Sequence, residues 1–341
     1  MKTSDFLFEL PRELIAQTPA IKRSDSRLLI YNRQTSKTEH RFFRDIPEYF
    51  EPGDLLILNS SGVIPARLHT VDDNGEPLKN EIFFIKSINV SKFEAIVKPG
   101  KKFKPGRIHK LPGGFQAKVE SIKDDGLRIF ELADGANSLE VFTKYGEMPL
   151  PPYITSRESE PERYQTIYRK EYGSVAAPTA GLHFDQSVFN ALEAKGVKKA
   201  DIVLHVGMGT FKPIETEDLE NHKMHEECFC ITEETARLFK ETKDAGKKIW
   251  ACGTTTIRTL ESAIQEDGTL KTGWQTTDCF IKPGYMFKAA DHMITNFHLP
   301  ASTLIVLVSA FAGRENILRL YNEAVALKYR FFSFGDSMLL I

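Results

Sequence analysis

The segment KIWACGTTTIRTLES, Lys248–Ser262, carries the pattern that decides the fold class of this chain. Its first five residues form a short apolar run, which predicts a buried strand. A glycine and three threonines follow, and Ile257, Leu260 and Ile264 then recur at the spacing of one helix face. A strand, a tight turn and a helix in this order indicate an α/β fold, in which ligands bind beyond the carboxyl ends of the strands.

Strands and helices alternate along much of the chain. Asp185 is placed to cap a helix that Gly196 ends, and MITNFHLP ends a strand before helices that begin near Ser302 and Glu315. Further buried strands are predicted at Arg27–Tyr31, Asp54–Asn59 and Asp201–Val206. This alternation predicts a layered α/β domain with a mixed β-sheet.

Residues 61–150 have a different character. Short apolar runs recur there between turn sequences such as DDNGEP, LPGG and KDDG. In FQAKVESI, Phe115, Ala117 and Val119 alternate with polar residues, as in a half-buried strand. We therefore predict a small β-barrel domain at 61–150, inserted into an α/β catalytic domain formed by 1–60 plus 151–341. The proline-rich segment Gly146–Ile154 is expected to be a stiff connector.

The composition is that of an ordinary globular protein, since 41% of its 341 residues are hydrophobic and 27% are charged. The N-terminus lacks the pattern of a signal peptide, and the longest apolar run, Leu304–Ala312, is about half as long as a membrane span. We expect a cytoplasmic monomer with no membrane partner. Because the net charge is −1, a local basic patch would have to bind any RNA.

The turn at the start of GTTT is a candidate anion site. Gly253 and the threonines after it place free backbone N–H groups at a helix start, where a carboxylate or phosphate is stabilised. Arg258, one turn further on, would add a bidentate contact to the same group. The alternative is an ordinary threonine cap with an arginine on the surface.

A second glycine-containing turn occurs in HVGMGTF, His205–Phe211. A dinucleotide-binding fingerprint requires a third glycine or alanine, whereas this chain has Lys212 and Pro213. The sequence therefore argues against a Rossmann site. Gly207 and Gly209 still permit close approach of a ligand to the backbone, or simply form a tight turn.

Two histidines and two cysteines lie within HKMHEECFC, but the spacing HxxHxxCxC matches none of the usual zinc patterns. We favour a loop whose histidines bond a ligand or solvent. The alternative is a metal-dependent hydrolase that uses His222, His225, Cys228 and Cys230.

Two segments near the C-terminus contain candidate catalytic residues or several aromatic side chains. NFHLP places Asn296 and His298 at a strand end, where a lone histidine is more often structural than catalytic. YRFFSFGD, Tyr329–Asp336, is expected to be a C-terminal strand whose phenylalanines pack on the core.

Nine segments, in order along the chain, resemble one family. They are FELPRELIAQTP, VIPARL, GEMPLPPYI, SVAAPTAGLHF, HVGMGTFKPI, HKMHEE, CGTTTIRTLES, TNFHLPASTLIVLVSAFAG and YRFFSFGDSMLLI. The family is that of the S-adenosylmethionine:tRNA ribosyltransferase-isomerases of queuosine biosynthesis. Its members usually have an acidic or amide residue, a threonine and a basic residue where this chain has Ser60, Ser61 and Gly62. Any contact that the usual basic residue makes is therefore absent, and Arg67 is expected to make more of the contacts at that edge.

The resemblance implies a reaction that consumes S-adenosylmethionine as a ribosyl donor. The ribosyl group is transferred to the aminomethyl group of 7-aminomethyl-7-deazaguanine at the tRNA wobble position and isomerised. The products are epoxyqueuosine-tRNA, adenine and methionine. No metal and no separate cofactor is implied, and the partners are S-adenosylmethionine and a tRNA with a queuosine-type wobble precursor. A non-catalytic RNA-binding module is the alternative from a different functional class.

This chemistry requires proton transfers, for which histidine is well suited. We predict that His183, His225 and His298 supply the base and the acid, without assigning them, and that Glu226, Glu261 or Asp336 stabilises the sulfonium or orients an imidazole. The predicted S-adenosylmethionine contacts are Thr179, Gly181, Gly207, Gly209, Thr210, Gly253, Thr254, Thr255, Arg258 and Asn296. The small residues of Ser174–Gly181 leave room for this ligand, or else form a tightly packed loop with a buried imidazole.

The segment KPGKKFKPGRIHK, Lys98–Lys110, is strongly basic, with six lysines or arginines in thirteen residues. Its glycines and prolines predict a loop between strands, from which the charges reach outward together. A solvated surface loop is the alternative. We predict that tRNA phosphates contact Arg67, Lys101, Lys102, Lys104 and Arg107.

Overall fold

The computed structural model describes residues 1–124, 126–149, 153–154, 160–207 and 214–341, and the chain divides into two compact units. The first unit is Met1–Ser61, Pro151–Glu171 and Ala177–Ile341, and the second is Gly62–Leu150 and Tyr172–Ala176. The domain boundaries predicted from the sequence, a catalytic domain at 1–60 plus 151–341 and an inserted domain at 61–150, stay predictions.

Strands make up much of both units. In chain order they are β1 (Arg27–Tyr31), β2 (Thr38–Phe42), β3 (Leu55–Asn59), β4 (Ser61–Val63), β5 (Arg67–Val71), β6 (Pro77–Ser87), β7 (Lys92–Lys98), β8 (Ile108–Lys110), β9 (Gln116–Ile122), β10 (Arg128–Leu132), β11 (Glu171–Ser174), β12 (Lys198–Leu204), β13 (Glu227–Ile231), β14 (Ile249–Cys252), β15 (Gly273–Thr277), β16 (His292–Asn296) and β17 (Ser337–Leu340).

The α-helices are mostly in the first unit. They are α1 (Ser138–Tyr145), α2 (Gln186–Ala194), α3 (Glu233–Asp244), α4 (Thr254–Ala263), α5 (Thr303–Ala312) and α6 (Arg314–Ala326). Short 3-10 helices occupy Thr3–Phe6, Arg12–Leu14, Arg23–Asp25, Phe43–Tyr49, Gly100–Lys102, Pro112–Gly114, Ala133–Gly135, Pro161–Tyr164, Thr179–His183 and Leu219–Asn221. Asp185 caps α2 as predicted, because its carboxylate accepts the N–H of Val188 at 3.1 Å.

The first unit is built on a mixed sheet with the strand order β15-β13-β12-β3-β14-β16-β17-β1-β2. The central strands β12, β3, β14 and β16 are parallel neighbours, and β1 is parallel to β17. The pairs β15–β13, β13–β12, β16–β17 and β1–β2 are antiparallel. The predicted mixed sheet is therefore confirmed, and the layering of helices on it stays a prediction.

The core of this unit lies against the central strands. All five residues of β3 are buried, as expected for a parallel strand covered on both faces. Trp250 of β14 is stacked on Phe50 with ring centroids 3.7 Å apart, and its indole N–H donates to Asp54 at 2.9 Å. This buried tryptophan and its partners therefore pack where β3 and β14 begin, at the ends opposite to those that border the site.

The second unit contains an antiparallel sheet in the order β5-β6-β7-β10-β9-β8, and the edge strands β5 and β8 approach one another within 8 Å between Cα atoms. The sheet is therefore nearly closed and barrel-like. Its interior is aromatic, since the Phe93 ring lies 5.2 Å from both Phe130 and Phe142. Ala117 and Val119 are buried in β9, which confirms the alternation in FQAKVESI. Strands β4 and β11 form a separate pair.

One predicted strand is wrong in position. Phe331, Phe332 and Phe334 are buried, as expected for Tyr329–Asp336, but β17 begins only at Ser337. Phe332 has a φ of 74°, which a strand cannot accommodate, so the aromatic residues pack in a turn before the strand. Within the described residues, every helix is too short or too polar to cross a membrane.

Candidate active site

The carboxyl ends of β14 and β16 border a small cleft of about 50 Å³ in the first unit. Gly253 turns the chain from β14 into α4 with a φ of +92°, a conformation that favours glycine, and its N–H donates to Ile294 O at 2.7 Å. The described lining is Ala177, Pro178, Thr179, Ala180, Val206, Gly253, Thr254, Thr255, Thr295, Asn296, His298, Leu304, Phe332 and Ser333. It includes six of the predicted site residues and no charged side chain.

The start of α4 supplies backbone donors to this cleft. Among the described residues no side chain caps the helix at Gly253, and the amide N–H groups of its first turn point out of the helix start. Thr255 Oγ1 accepts a hydrogen bond from Asn59 at 3.3 Å, which holds the first turn against the end of β3. The partial positive charge of the helix start favours an anionic group here.

Asn296 and His183 form a buried polar chain at one wall of the cleft. The Asn296 amide nitrogen donates to His183 Nε2 at 3.1 Å and to Phe332 O at 3.1 Å. His183 Nδ1 in turn lies 2.7 Å from Ser26 Oγ. Burial, with the nearby positive charges of Arg330 and Arg23, lowers the pKa of His183 to about 3. The imidazole is therefore neutral at neutral pH, and both of its nitrogens are engaged.

His298 faces the cleft directly. Its Nε2 lies 2.9 Å from Thr295 Oγ1, and its backbone N–H donates to the Tyr321 hydroxyl at 3.0 Å. Burial lowers the pKa of His298 to about 3. In the part of the chain that the structure describes, Nδ1 has no hydrogen-bond partner, so this nitrogen is available to a ligand.

Arg258 does not reach the cleft. Its guanidinium is buried in an ion pair with Glu227, and its Nε donates to Cys279 O at 3.3 Å. Glu227 also accepts the backbone N–H of Gly207 at 3.1 Å. The arginine is therefore neither a surface residue nor a contact to an anion at the helix start, and it joins α4 to β13.

Two predicted carboxylates also serve the fold. Glu261 accepts the backbone N–H groups of Lys288 and Ala289 at 3.0 Å and of Ala290 at 3.3 Å. Asp336 accepts the backbone N–H groups of Arg27 at 2.9 Å and Arg330 at 2.8 Å. Neither of the two lines the cleft. Burial raises the pKa of Asp336, and its two backbone donors favour the charged form.

The histidine- and cysteine-containing segment lies elsewhere. His225, Glu226 and Cys228 are exposed, and His222 is half-buried with its ring 5.2 Å from Phe280. The described residues contain no group of three or more His, Cys, Asp or Glu side chains placed to hold a metal ion. The alternative of a metal-dependent hydrolase therefore has no site there, and His225 does not line the cleft.

The small residues of Ser174–Gly181 have two separate effects. Residues 177–180 line the cleft, as a ligand-binding role predicts. Gly181 instead packs tightly, since a Cβ there would lie 1.9 Å from the Tyr168 hydroxyl oxygen. Gly207 is described as part of the loop after β12, whereas Gly209 and Thr210 lie outside the described residues.

The basic loop belongs to the second unit. Lys101, Lys102, Lys104 and Arg107 are exposed, as a role in RNA binding requires. Phe103 is buried and stacked on His109 at 4.3 Å, so it anchors the loop rather than contacting a partner. Arg67 is only partly exposed, and its Nε lies 3.5 Å from a Glu81 carboxylate oxygen.

Sequence reasoning missed three residues that shape the site: Ser26, Glu227 and Ser333. Ser26 lies directly before the predicted strand Arg27–Tyr31, and Glu227 directly follows the candidate Glu226. Ser26 and Glu227 have no local sequence signal, because their partners, His183 and Arg258, are more than thirty residues away in sequence.

A family model described as "Queuosine biosynthesis protein" matches residues 3–340 of the chain. The chain belongs to this family. It is 49% identical to the S-adenosylmethionine:tRNA ribosyltransferase-isomerase of Clostridioides difficile (strain 630) and 50% identical to that of Thermoanaerobacter sp. (strain X514). Each alignment spans 345 residues and covers 100% of both proteins.

A solved structure is similar over the whole length. The crystal structure of S-adenosylmethionine tRNA ribosyltransferase from Thermotoga maritima has a TM-score of 0.58 and 38% sequence identity to this chain. The comparison covers 99% of this chain and 100% of that one.

Proposed function

We propose that this family member transfers and isomerises the ribosyl moiety of S-adenosylmethionine. The acceptor is the aminomethyl group of 7-aminomethyl-7-deazaguanine at the wobble position of a tRNA, and the products are epoxyqueuosine-tRNA, adenine and methionine. The observation that carries this proposal is the identity of 49–50%, without a large uncovered region, to enzymes named for this activity.

The cleft beside α4 is the proposed donor site. It lies at the carboxyl ends of two parallel strands, where ligands of α/β sheets bind. Because its described lining has no charged side chain, the backbone amides at the start of α4 would hold the methionine carboxylate. Thr179, Gly253, Thr254, Thr255 and Asn296 keep their predicted role as donor contacts, and Arg258 supports the helix from behind.

His298 is the proposed proton-transfer residue. The ribose carbon beside the sulfonium is acidified, so a base removes a proton there, and the leaving adenine takes up a proton. His298 lines the cleft, and its Nδ1 has no hydrogen-bond partner among the described residues, so this nitrogen is the proposed acceptor of the first proton. Because burial disfavours the imidazolium, this role requires the charges of the bound ligand to stabilise it. Negative charge on the departing adenine favours the imidazolium, which then returns a proton.

The exposed loop residues Lys101, Lys102, Lys104 and Arg107 would contact tRNA phosphates, and Arg67 is a weaker candidate because it is paired. We propose a cytoplasmic monomer that needs neither a metal nor an organic cofactor, with helices layered on the large sheet and the barrel-like sheet as an inserted domain.

The proposal is tested by measuring adenine release from S-adenosylmethionine, with tRNA that carries the precursor base and with the same tRNA lacking it. We expect adenine only with the precursor tRNA. Absence of adenine in both reactions would favour a binding module, and equal release in both would favour a hydrolase. His298→Gln should lower turnover by about 10²–10⁴-fold, the typical effect of losing an acid–base group, while donor affinity is kept.

A further inference from the structure

Asn296 has one polar atom that the described protein does not satisfy. Both N–H bonds of its amide nitrogen are used, by His183 Nε2 and by Phe332 O. Its carbonyl oxygen, Oδ1, is buried and has no hydrogen-bond partner among the described residues, and the residue as a whole is 2% exposed. Asn296 lines the cleft, so a ligand there is in position to supply the missing donor.

The orientation of this amide is set by the chain of bonds behind it. Since Asn296 donates to His183 Nε2, the imidazole proton lies on Nδ1 and is donated to Ser26 Oγ, 2.7 Å away. Rotating the amide by 180° would place Oδ1 against the carbonyl oxygen of Phe332, which can only accept. The Phe332 carbonyl, with His183 protonated on Nδ1, therefore favours the orientation in which the amide nitrogen makes both bonds and Oδ1 makes neither.

Asn296 and the first residues of α4 line the same cleft. They follow neighbouring strands, because β14 and β16 are parallel with Cys252 opposite Ile294. Neighbouring strands are about 4.8 Å apart. A ligand that carries an anionic group and a hydrogen-bond donor close together is therefore suited to the helix amides and Oδ1.

An α-amino acid has this arrangement. Resting on the proposed function, we infer that Asn296 Oδ1 accepts a hydrogen bond from the α-ammonium group of S-adenosylmethionine while the α-carboxylate lies at the start of α4. His183 is then a positioning residue that selects the amide orientation. A carboxylate partner for the ammonium is absent from the described lining of the cleft, so this neutral oxygen is the acceptor that the cleft offers.

The pairing is tested by a double comparison of dissociation constants, measured by titration calorimetry without tRNA. The ligands are S-adenosylmethionine and its analogue without the α-amino group, and the proteins are the parent, Asn296→Ala and the control Asn190→Ala, which changes an exposed asparagine on α2. In the parent, loss of the amino group should weaken binding about 10- to 100-fold. In Asn296→Ala, the two ligands should bind within about threefold of each other.

If the analogue still binds 10-fold or more weakly than S-adenosylmethionine to Asn296→Ala, the ammonium has another partner and the inference fails. Equal affinities of the parent for both ligands would overturn it as well, and would leave a ribose hydroxyl or the adenine amine as the donor to Oδ1. Adenine release from the parent with precursor tRNA, measured in parallel, separates such a failure from failure of the proposed function.

The role of His183 has its own tests. In the parent, ¹⁵N NMR of labelled histidine should find the proton of this ring on Nδ1, and a proton on Nε2 would contradict the amide orientation. His183→Phe, which keeps a ring beside Phe43, should raise the KM for S-adenosylmethionine at least fivefold while turnover at saturating donor stays within about threefold of the parent's. If turnover at saturating donor instead drops by about 100-fold or more, His183 is a proton-transfer residue.

Discussion

Glu227 and Arg258 form a buried ion pair, with only 4% and 6% of their side-chain surfaces exposed. The pair joins the start of β13 to the first turns of α4, and Glu227 also holds the N–H of Gly207 in the loop after β12. Three segments near the cleft are thus connected through one carboxylate. Removing one partner of such a pair leaves a buried charge without compensation.

Arg258→Ala is therefore expected to destabilise the fold rather than to weaken donor binding selectively. The expected loss is about 3–5 kcal/mol in the free energy of unfolding, measured by urea denaturation. The double variant Glu227→Leu/Arg258→Met should recover part of this loss, because no charge is then left buried. If Arg258→Ala unfolds like the parent and only its affinity for S-adenosylmethionine falls, Arg258 contacts the donor after all.

Stability should decrease in mild acid because four histidines have strongly lowered pKa values in the folded protein. Burial lowers the pKa of His183 and of His298 to about 3 and that of His205 and of His292 to about 4, whereas an unfolded histidine titrates near 6.5. Between these values the unfolded chain binds more protons, so the free energy of unfolding falls as pH falls. Each histidine should contribute about 1 kcal/mol to the loss between pH 7.5 and pH 5.5.

The measurement is urea denaturation at both pH values, in the parent and in His298→Gln. The variant should lose about 1 kcal/mol less than the parent over this range, since one of these four histidines is gone. An unchanged difference between the two pH values would show that His298 titrates normally in the folded protein.

Gly181→Ala should be destabilising because of packing. The added Cβ would lie 1.9 Å from the Tyr168 hydroxyl oxygen and 2.9 Å from Thr166 Cγ2. Overpacking of this kind typically costs about 1–3 kcal/mol. Thermal unfolding should show a lower Tm for Gly181→Ala, and the double variant with Tyr168→Phe should recover part of it. A Tm equal to that of the parent would mean that the segment adjusts freely.

The basic loop is expected to bind tRNA through its phosphates. Changing Lys101, Lys102, Lys104 and Arg107 together to alanine should weaken tRNA binding and flatten the slope of log affinity against log salt. The slope should change by about 0.7–0.9 for each phosphate that the variant no longer neutralises. Donor affinity should not change. Filter binding at several salt concentrations measures both the affinity for tRNA and its salt slope.

A matched control removes the same charge elsewhere on the surface, at Lys37, Lys248, Lys271 and Lys288, all of which are exposed. This control should keep the salt slope of the parent if the loop binds the phosphates. If both quadruple variants lose the same affinity for tRNA, the effect is one of net charge. If the loop variant binds tRNA like the parent, the four loop residues contact only solvent.

Local patterns predicted much of the fold. Strand β1 occupies Arg27–Tyr31 as predicted, β14 differs by one residue from Lys248–Cys252, and α5 begins after its Ser302 cap. These elements follow from apolar periodicity and from capping residues, which act within a few positions. The antiparallel strand β15 was not predicted, because its exposed sequence GWQTT has no apolar period.

The sequence predicted several residues that line the cleft, but not the contacts that fix the others, and their roles stay predictions. Gly253 and the threonines after it could be recognised because strand, turn and helix are contiguous in sequence. The inward direction of Arg258 could not be recognised, since it depends on a carboxylate 31 residues away. His183 was predicted from the chemistry of its side chain alone. Its hydrogen bonds to Ser26 and Asn296 depend on the tertiary fold and could not be predicted from the sequence.

The placement of β17 has a consequence for biosynthesis. This strand lies between β16 and β1, and it connects the hairpin of β1 and β2 to the rest of the sheet. The ribosome makes about 5–20 residues per second, so β1 waits roughly 15–60 s for its neighbour to be synthesised. Until then an edge of β1 is unpaired in the nascent chain and open to strands of other chains. A message truncated before codon 337 would yield a product in which that edge is never covered, and a holdase chaperone would be expected to retain it.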